Sequence, residues 1–188
     1  ELERKSTRAE VDKMRSYLSS LYEENTWYSE TGTQRAKSRS VSLRYLKSIQ
    51  AKIGNRKLGI IFPHILWDST SVFSKDVYED YAEFLKKALL YAQKNEDVFW
   101  ICKIHPANTV KSLREYDEYK KPAELILFED LQISSENIAL IDDNFEGTSL
   151  DLIKAADFVV TVRGTVAIEA GLFGKFAICA GESRVSST

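Results

Sequence analysis

From Lys57 onward, mostly apolar runs of four to seven residues alternate with stretches in which apolar positions recur every three or four residues. That alternation predicts a parallel α/β sheet. The strand-length runs are 58–62, 98–104, 138–141, 158–162 and 176–179, and their continuous hydrophobicity suits strands covered by helices on both faces. Between the first two, Val77, Tyr81, Phe84, Leu85, Ala88 and Ala92 fall on one helical stripe. Asp76, Glu79 and Asp80 sit near the N-terminus of that helix, where negative charge is favourable, and Ser74 is its expected N-cap. Shorter helices fit 109–119, 122–132, 149–156 and 165–173.

Residues 1–55 read differently. They are dense in Arg, Lys, Ser and Glu, with two short helical patterns, Val11, Met14, Leu18, Leu21 and Val41, Leu43, Leu46, Ile49. Residues 31–40 read as a polar linker. The expectation is a helical connector or arm over 1–55, packed loosely on an α/β domain over 56–188. A second reading of the same segment is a basic patch of Arg35, Lys37, Arg39 and Arg44 that faces an acceptor or a lipid.

Charge and composition narrow the function classes. A formal net charge of -2 over 188 residues and a pI near 5.8 supply no global positive field, so nucleic acid is not an expected partner. The apolar runs are well short of the roughly 18 residues a membrane-spanning helix needs. The chain begins at Glu1 and stops directly after an apolar run, so it is expected to be a piece of a longer protein. Cys102 and Cys179 lie inside apolar runs rather than in a C-x-x-C spacing, which reads as two buried thiols in a reducing, cytosolic compartment. With two histidines and no Cys cluster, no metal site is expected.

Ligands of open parallel sheets collect at the C-terminal ends of the strands, and polar residues recur at each of these ends. Pro63 to Ser71 follows the first strand, Lys103-Ile104-His105-Pro106-Ala107-Asn108 the second, Asp142-Asp143-Asn144 the third, and Arg163-Gly164-Thr165 the fourth. G-x-G-x-x-G, Walker and G-x-S-x-G motifs are all missing, which demotes dinucleotide oxidoreductases, P-loop NTPases and α/β-hydrolases. Asp142-Asp143 follows the wrong strand for a phosphoacceptor pocket. The most informative segment is 149–181, in which Gly164-Thr165 opens a helix carrying Glu169 one turn inside. Thr165 and Glu169, spaced i,i+4, share a helix face. Gly164 allows close backbone approach, the helix start and the Thr165 hydroxyl suit a phosphate, and the carboxylate suits two ribose hydroxyls. The plainer alternative has Thr165 capping the helix and Glu169 solvated.

Asp151-Leu152-Ile153, Ala156-Asp157, Gly164-Thr165, Glu169-Ala170 and Gly174-Lys175, preceded by His105-Pro106 after an earlier strand, resemble the C-terminal nucleotide-binding domain of GT-B glycosyltransferases. The likeness is to the bacterial capsule and surface polysaccharide group and covers about 57–181. It implies a Rossmann-like, mainly parallel sheet and transfer of a sugar from a nucleotide-activated donor. In that reading His105 is the catalytic group that hydrogen-bonds the donor phosphate, with Lys103 or Arg163 neutralising its charge. Asp68, Ser69, Asn108, Gly164, Thr165 and Glu169 complete the donor site, Asp68 and Ser69 in the loop after the first strand. The implied partners are the nucleotide-sugar donor, which is a substrate rather than a cofactor, and a glycan or glycolipid acceptor. The acceptor domain would be a missing N-terminal part of the same protein, so this piece alone would bind without catalysing. No obligatory metal is implied, since no D-x-D spacing occurs. The implied location of the full-length protein is cytoplasmic, at the inner face of the membrane. Phe176 stands where many relatives have Pro, a departure that touches packing more than chemistry. The His-Pro pair is also similar to that of CDP-glycerol-type polyol-phosphate transferases, and a non-catalytic α/β interaction module is the third reading. His64 lacks a comparable match and reads as loop-forming.

Overall fold

The computed structural model describes residues 6–23, 38–66, 77–108, 121–133 and 136–182. Asp68, Ser69, Ser74, Arg35, Lys37 and the helix expected at 109–119 lie outside the described residues. Among the described residues, six helices and five strands follow in the order α1 (Arg8–Glu23), α2 (Arg39–Ile53), β1 (Lys57–Phe62), α3 (Tyr81–Lys94), β2 (Val98–Lys103), α4 (Ala123–Asp130), β3 (Ile138–Ile141), α5 (Ser149–Ala155), β4 (Phe158–Thr161), α6 (Val166–Leu172) and β5 (Phe176–Cys179). The strands form one sheet in the order β3-β2-β1-β4-β5, parallel at every pairing. The chain runs outward from β1 to β3, then returns to β4 on the other side of β1. The reversal leaves a crevice between β1 and β4 at the C-terminal edge.

Alternation along each strand sorts the core into two layers. Leu58, Ile60, Phe62, Phe99, Ile101 and Val159 face α2, α5 and α6, meeting Ile49, Leu152, Ile153 and Ala170. Ile61, Val98, Trp100 and Cys102 face α3 and meet Tyr81, Phe84, Leu85, Leu89 and Ala92, with Leu127 and Phe128 of α4 packed alongside. At Gly59 there is no room for a side chain. A Cβ there would lie 2.7 Å from the Phe158 ring and 2.9 Å from Trp100, whose rings meet edge-on above it at 5.3 Å.

The N-terminal helices differ in how deeply they engage. Leu18 is the buried member of the α1 stripe, while Met14 is half exposed. α2 contributes Ile49 to the core, and its fully buried Ser42 is tied to the backbone of Thr148, accepting from its amide at 2.7 Å. α3 starts later than its stripe suggests. Asp80 caps it, accepting from the Glu83 amide at 2.6 Å, and Val77 stands exposed ahead of the helix. α6 ends in a Schellman turn: Gly174 takes φ 68°, the Lys175 amide reaches Ala170 O at 2.9 Å, and the chain turns into β5. β5 departs from the expectation of strands covered on both faces. It is an edge strand, with Phe176 81% and Ile178 55% exposed. Cys102 is buried as expected, whereas Cys179, on that edge, is half-buried. Asp157, just before β4, accepts from the Leu58 amide at 2.9 Å and pairs with Lys57 at 3.1 Å, so it joins β1 to β4 at the edge opposite the crevice. Among the described residues, no helix is long and apolar enough to cross a membrane.

Candidate functional site

The crevice is a cleft of about 280 Å³ whose walls come from the ends of three neighbouring strands. β1 supplies Phe62, Pro63 and His64, β2 supplies Lys103 to Pro106, and β4 with the start of α6 supplies Thr161 and Arg163 to Glu169. Tyr22 of α1 and Ser149 of α5 close it. Six residues singled out in the sequence, Lys103, His105, Arg163, Gly164, Thr165 and Glu169, therefore line one cavity although they span 67 positions of chain.

Each is held by identifiable chemistry. The Ala107 amide donates to His105 Nδ1 at 3.1 Å, so the neutral ring carries its proton on Nε2. Such a ring can donate to an anion without being charged. Lys103 is buried, its ammonium donating to Ile104 O at 2.9 Å and standing 6.0 Å from the Phe145 ring centroid. It is less a mobile arm than a fixed charge in the wall. The Arg163 amide donates to His64 Nε2 at 3.1 Å, and the His64 ring stacks on Tyr81 at 4.6 Å. His64 thereby ties the loop after β1 to the loop after β4, the loop-forming role expected of it. At Gly164 an added Cβ would meet Thr161 Oγ1 at 3.0 Å, so a side chain here would crowd that hydroxyl.

Thr165 and Glu169 depart from the plainer alternative. Thr165 makes no side-chain cap; its hydroxyl donates instead to Glu169 Oε1 at 3.3 Å. Glu169 is 3% exposed rather than solvated, and its other oxygen accepts from the Tyr22 hydroxyl at 3.0 Å. Burial pushes its carboxyl above the usual range, with the two hydroxyls pulling the other way. A carboxyl already receiving two hydroxyls is chemically suited to a vicinal diol. The helix start contributes less than expected, because α6 has only seven residues and sums few peptide dipoles.

Asn108 sits apart from these six. It does not line the cleft; buried, its amide donates to Glu124 Oε2 at 3.0 Å. Glu124 itself was not singled out in the sequence. Its second oxygen accepts from the Leu66 amide at 3.3 Å, so one buried carboxyl joins the loop after β1, the loop after β2 and α4. Burial raises its pKa, and those hydrogen bonds oppose the shift. A lone Glu in a first helical turn is ordinary, and the following Leu125 to Phe128 are apolar on every face, so no stripe marks Glu124 as inward. Tyr22 was missed for a related reason: it adjoins Leu21 at the end of a weak stripe, and its role depends on where α1 lands.

The chain matches no protein-family model and no curated protein sequence. Its fold is similar to S. aureus MnaA determined with UDP, at 17% identity and a TM-score of 0.45, over 70% of this chain and 30% of that one. It is also similar to Thermosulfurimonas dismutans KpsC, as the beta Kdo 2,7 transferase (17% identity, TM-score 0.46, 90% of this chain and 47% of that one). The beta Kdo 2,4 transferase of the same KpsC gives 15% identity and a TM-score of 0.44, over 80% and 47%. The chain spans less than half the length of each.

Proposed function

We propose that the cleft binds the nucleoside diphosphate of an activated sugar, and that this chain is the donor-binding part of a glycosyltransferase for a surface polysaccharide. The observation that carries the reading is the joint presence in one cleft of His105, after β2, and of Arg163 and Glu169, after β4 and on α6. The His105 Nε2–H and the Arg163 guanidinium suit a diphosphate, and the Glu169 carboxyl suits ribose hydroxyls. In the reaction, an acceptor oxygen bonds to the anomeric carbon while the bond from that carbon to the diphosphate breaks. The electron pair leaves with the nucleotide, whose growing charge the His105 and Arg163 donors stabilise. The acceptor's proton goes to a base that this reading assigns to a part of the protein beyond this chain, so the chain by itself binds without turnover.

Titration of the chain with UDP, CDP, GDP and CMP in a calorimeter tests the reading, with CDP-glycerol included to detect a polyol-phosphate donor. Saturable binding of one diphosphate is expected, weakened about tenfold or more by His105→Ala through loss of a charge-assisted hydrogen bond. Silence with every nucleotide would sink the proposal in favour of a non-catalytic module.

A further inference from the structure

Tyr22 walls two clefts. Beyond it lies a second cavity of about 300 Å³, at the lower end of small-molecule sites, formed by the last turns of α1 and the starts of α2 and α5. It includes Arg39, a member of the basic patch that the donor reading leaves unused. Lys154 stands with it, and the lining carboxylate is Asp151. That carboxylate is already engaged: Asp151 Oδ2 accepts from the Thr148 hydroxyl at 2.5 Å, and Oδ1 stands 3.7 Å from Arg39 Nε, beyond normal hydrogen-bond length. Among the described residues no carboxylate pairs with Lys154, whose ammonium lies 3.5 Å from Ser19 Oγ and 4.7 Å from the Phe173 ring centroid. Ser19, Ser38 and Ser40 add hydroxyls to the same lining.

Among the described residues of the lining, two cations are set against one committed carboxylate, an excess of positive charge in a chain whose overall charge is -2. The guanidinium fork suits a carboxylate or a phosphate, the ammonium adds a point charge, and the serines can exchange hydrogen bonds with sugar hydroxyls. We propose that this second cleft binds an oxyanion-bearing saccharide, and that it forms one wall of the acceptor site. Its place beside the donor in the reaction rests on the donor reading above; its affinity for the anionic sugar does not. Tyr22 then stands between donor and acceptor, lining both clefts with its hydroxyl on Glu169.

The test uses the chain with glucuronic acid, glucose 6-phosphate and glucose as probes, followed by saturation-transfer NMR and calorimetry with and without UDP. At least one anionic sugar is expected to bind clearly more tightly than glucose, glucuronic acid pointing to a carboxylate ligand and glucose 6-phosphate to a phosphate. Arg39→Gln and Lys154→Gln should each weaken that binding roughly five- to tenfold, as loss of a charge-assisted contact does. Should either variant lose its fold, the wild type decides through salt: affinity for the anionic sugar must fall as ionic strength rises. Equal binding of glucose, no binding of either anion, or binding indifferent to both variants and to salt would overturn the proposal. Failure of UDP to bind, with the anionic sugar still bound in an Arg39- and Lys154-dependent way, would reject the donor reading and leave the second cleft standing.

Discussion

Glu169 carries a conflict that chemistry makes measurable. Burial raises its carboxyl above the usual 4.5, and a carboxyl raised in the folded state holds a proton there that the unfolded chain releases. Its ionisation therefore costs stability as pH climbs from 4.5 through the raised value, and the full cost persists above it. Glu169→Gln is expected to raise the urea midpoint at neutral pH, an advantage that fades as pH falls towards 4.5; a constant difference across that series would contradict the assignment. The Tyr22 hydroxyl occupies the same carboxyl. If a ribose hydroxyl must replace it, Tyr22→Phe removes a competitor worth about 1 kcal/mol, and nucleotide affinity should rise about fivefold by calorimetry. Unchanged or weaker affinity would make Tyr22 part of the site rather than an occupant.

Among the elements, small contacts set where structure starts and how loops are joined. Asp80 caps α3 through the Glu83 amide, so Asp80→Ala should cost about 1 kcal/mol in urea unfolding. Glu124→Ala strips partners from the Leu66 amide and the Asn108 side chain at once. The expected loss is about 3 kcal/mol, the scale of unsatisfied buried donors, accompanied by faster hydrogen exchange at Leu66. If the exchange rate at Leu66 were unaltered, Glu124 would not be what fastens that loop. Gly59 matters to the sheet by what it omits. Gly59→Ala would drive a methyl into the Trp100 and Phe158 rings, and a cost of about 1 to 3 kcal/mol is expected from such overpacking.

For the whole molecule, the five parallel strands bury two layers at the centre and leave one apolar edge in the open. Phe176 and Ile178 share a face of β5, and an exposed edge strand with apolar residues is a template for pairing. Phe176→Lys should therefore reduce concentration-dependent association seen by sedimentation while leaving the melting temperature within a few degrees. Stronger association of the variant would show that the edge is not the sticky surface. The strand order that exposes this edge also opens the cleft, because the chain reverses direction in the sheet between β1 and β4.

The amino-acid pattern by itself determined the strands and the handover from helix to strand. Runs such as Val98 to Lys103 are too apolar to face water on either side, and Gly174 can end α6 because it accepts a positive φ. It also singled out His105, Gly164 and Glu169, since a His-Pro turn and a Gly-Thr helix start are local features of chain chemistry. Tertiary structure alone decided the partners. That Tyr22 meets Glu169 across 147 positions and that Glu124 takes up Asn108 and Leu66 depend on where elements come to rest. The physical reason is range. Periodicity and turn preference act over a few residues, whereas the burial of a carboxyl and the identity of its hydrogen-bond donors are set by segments that become neighbours only when the sheet closes its two layers.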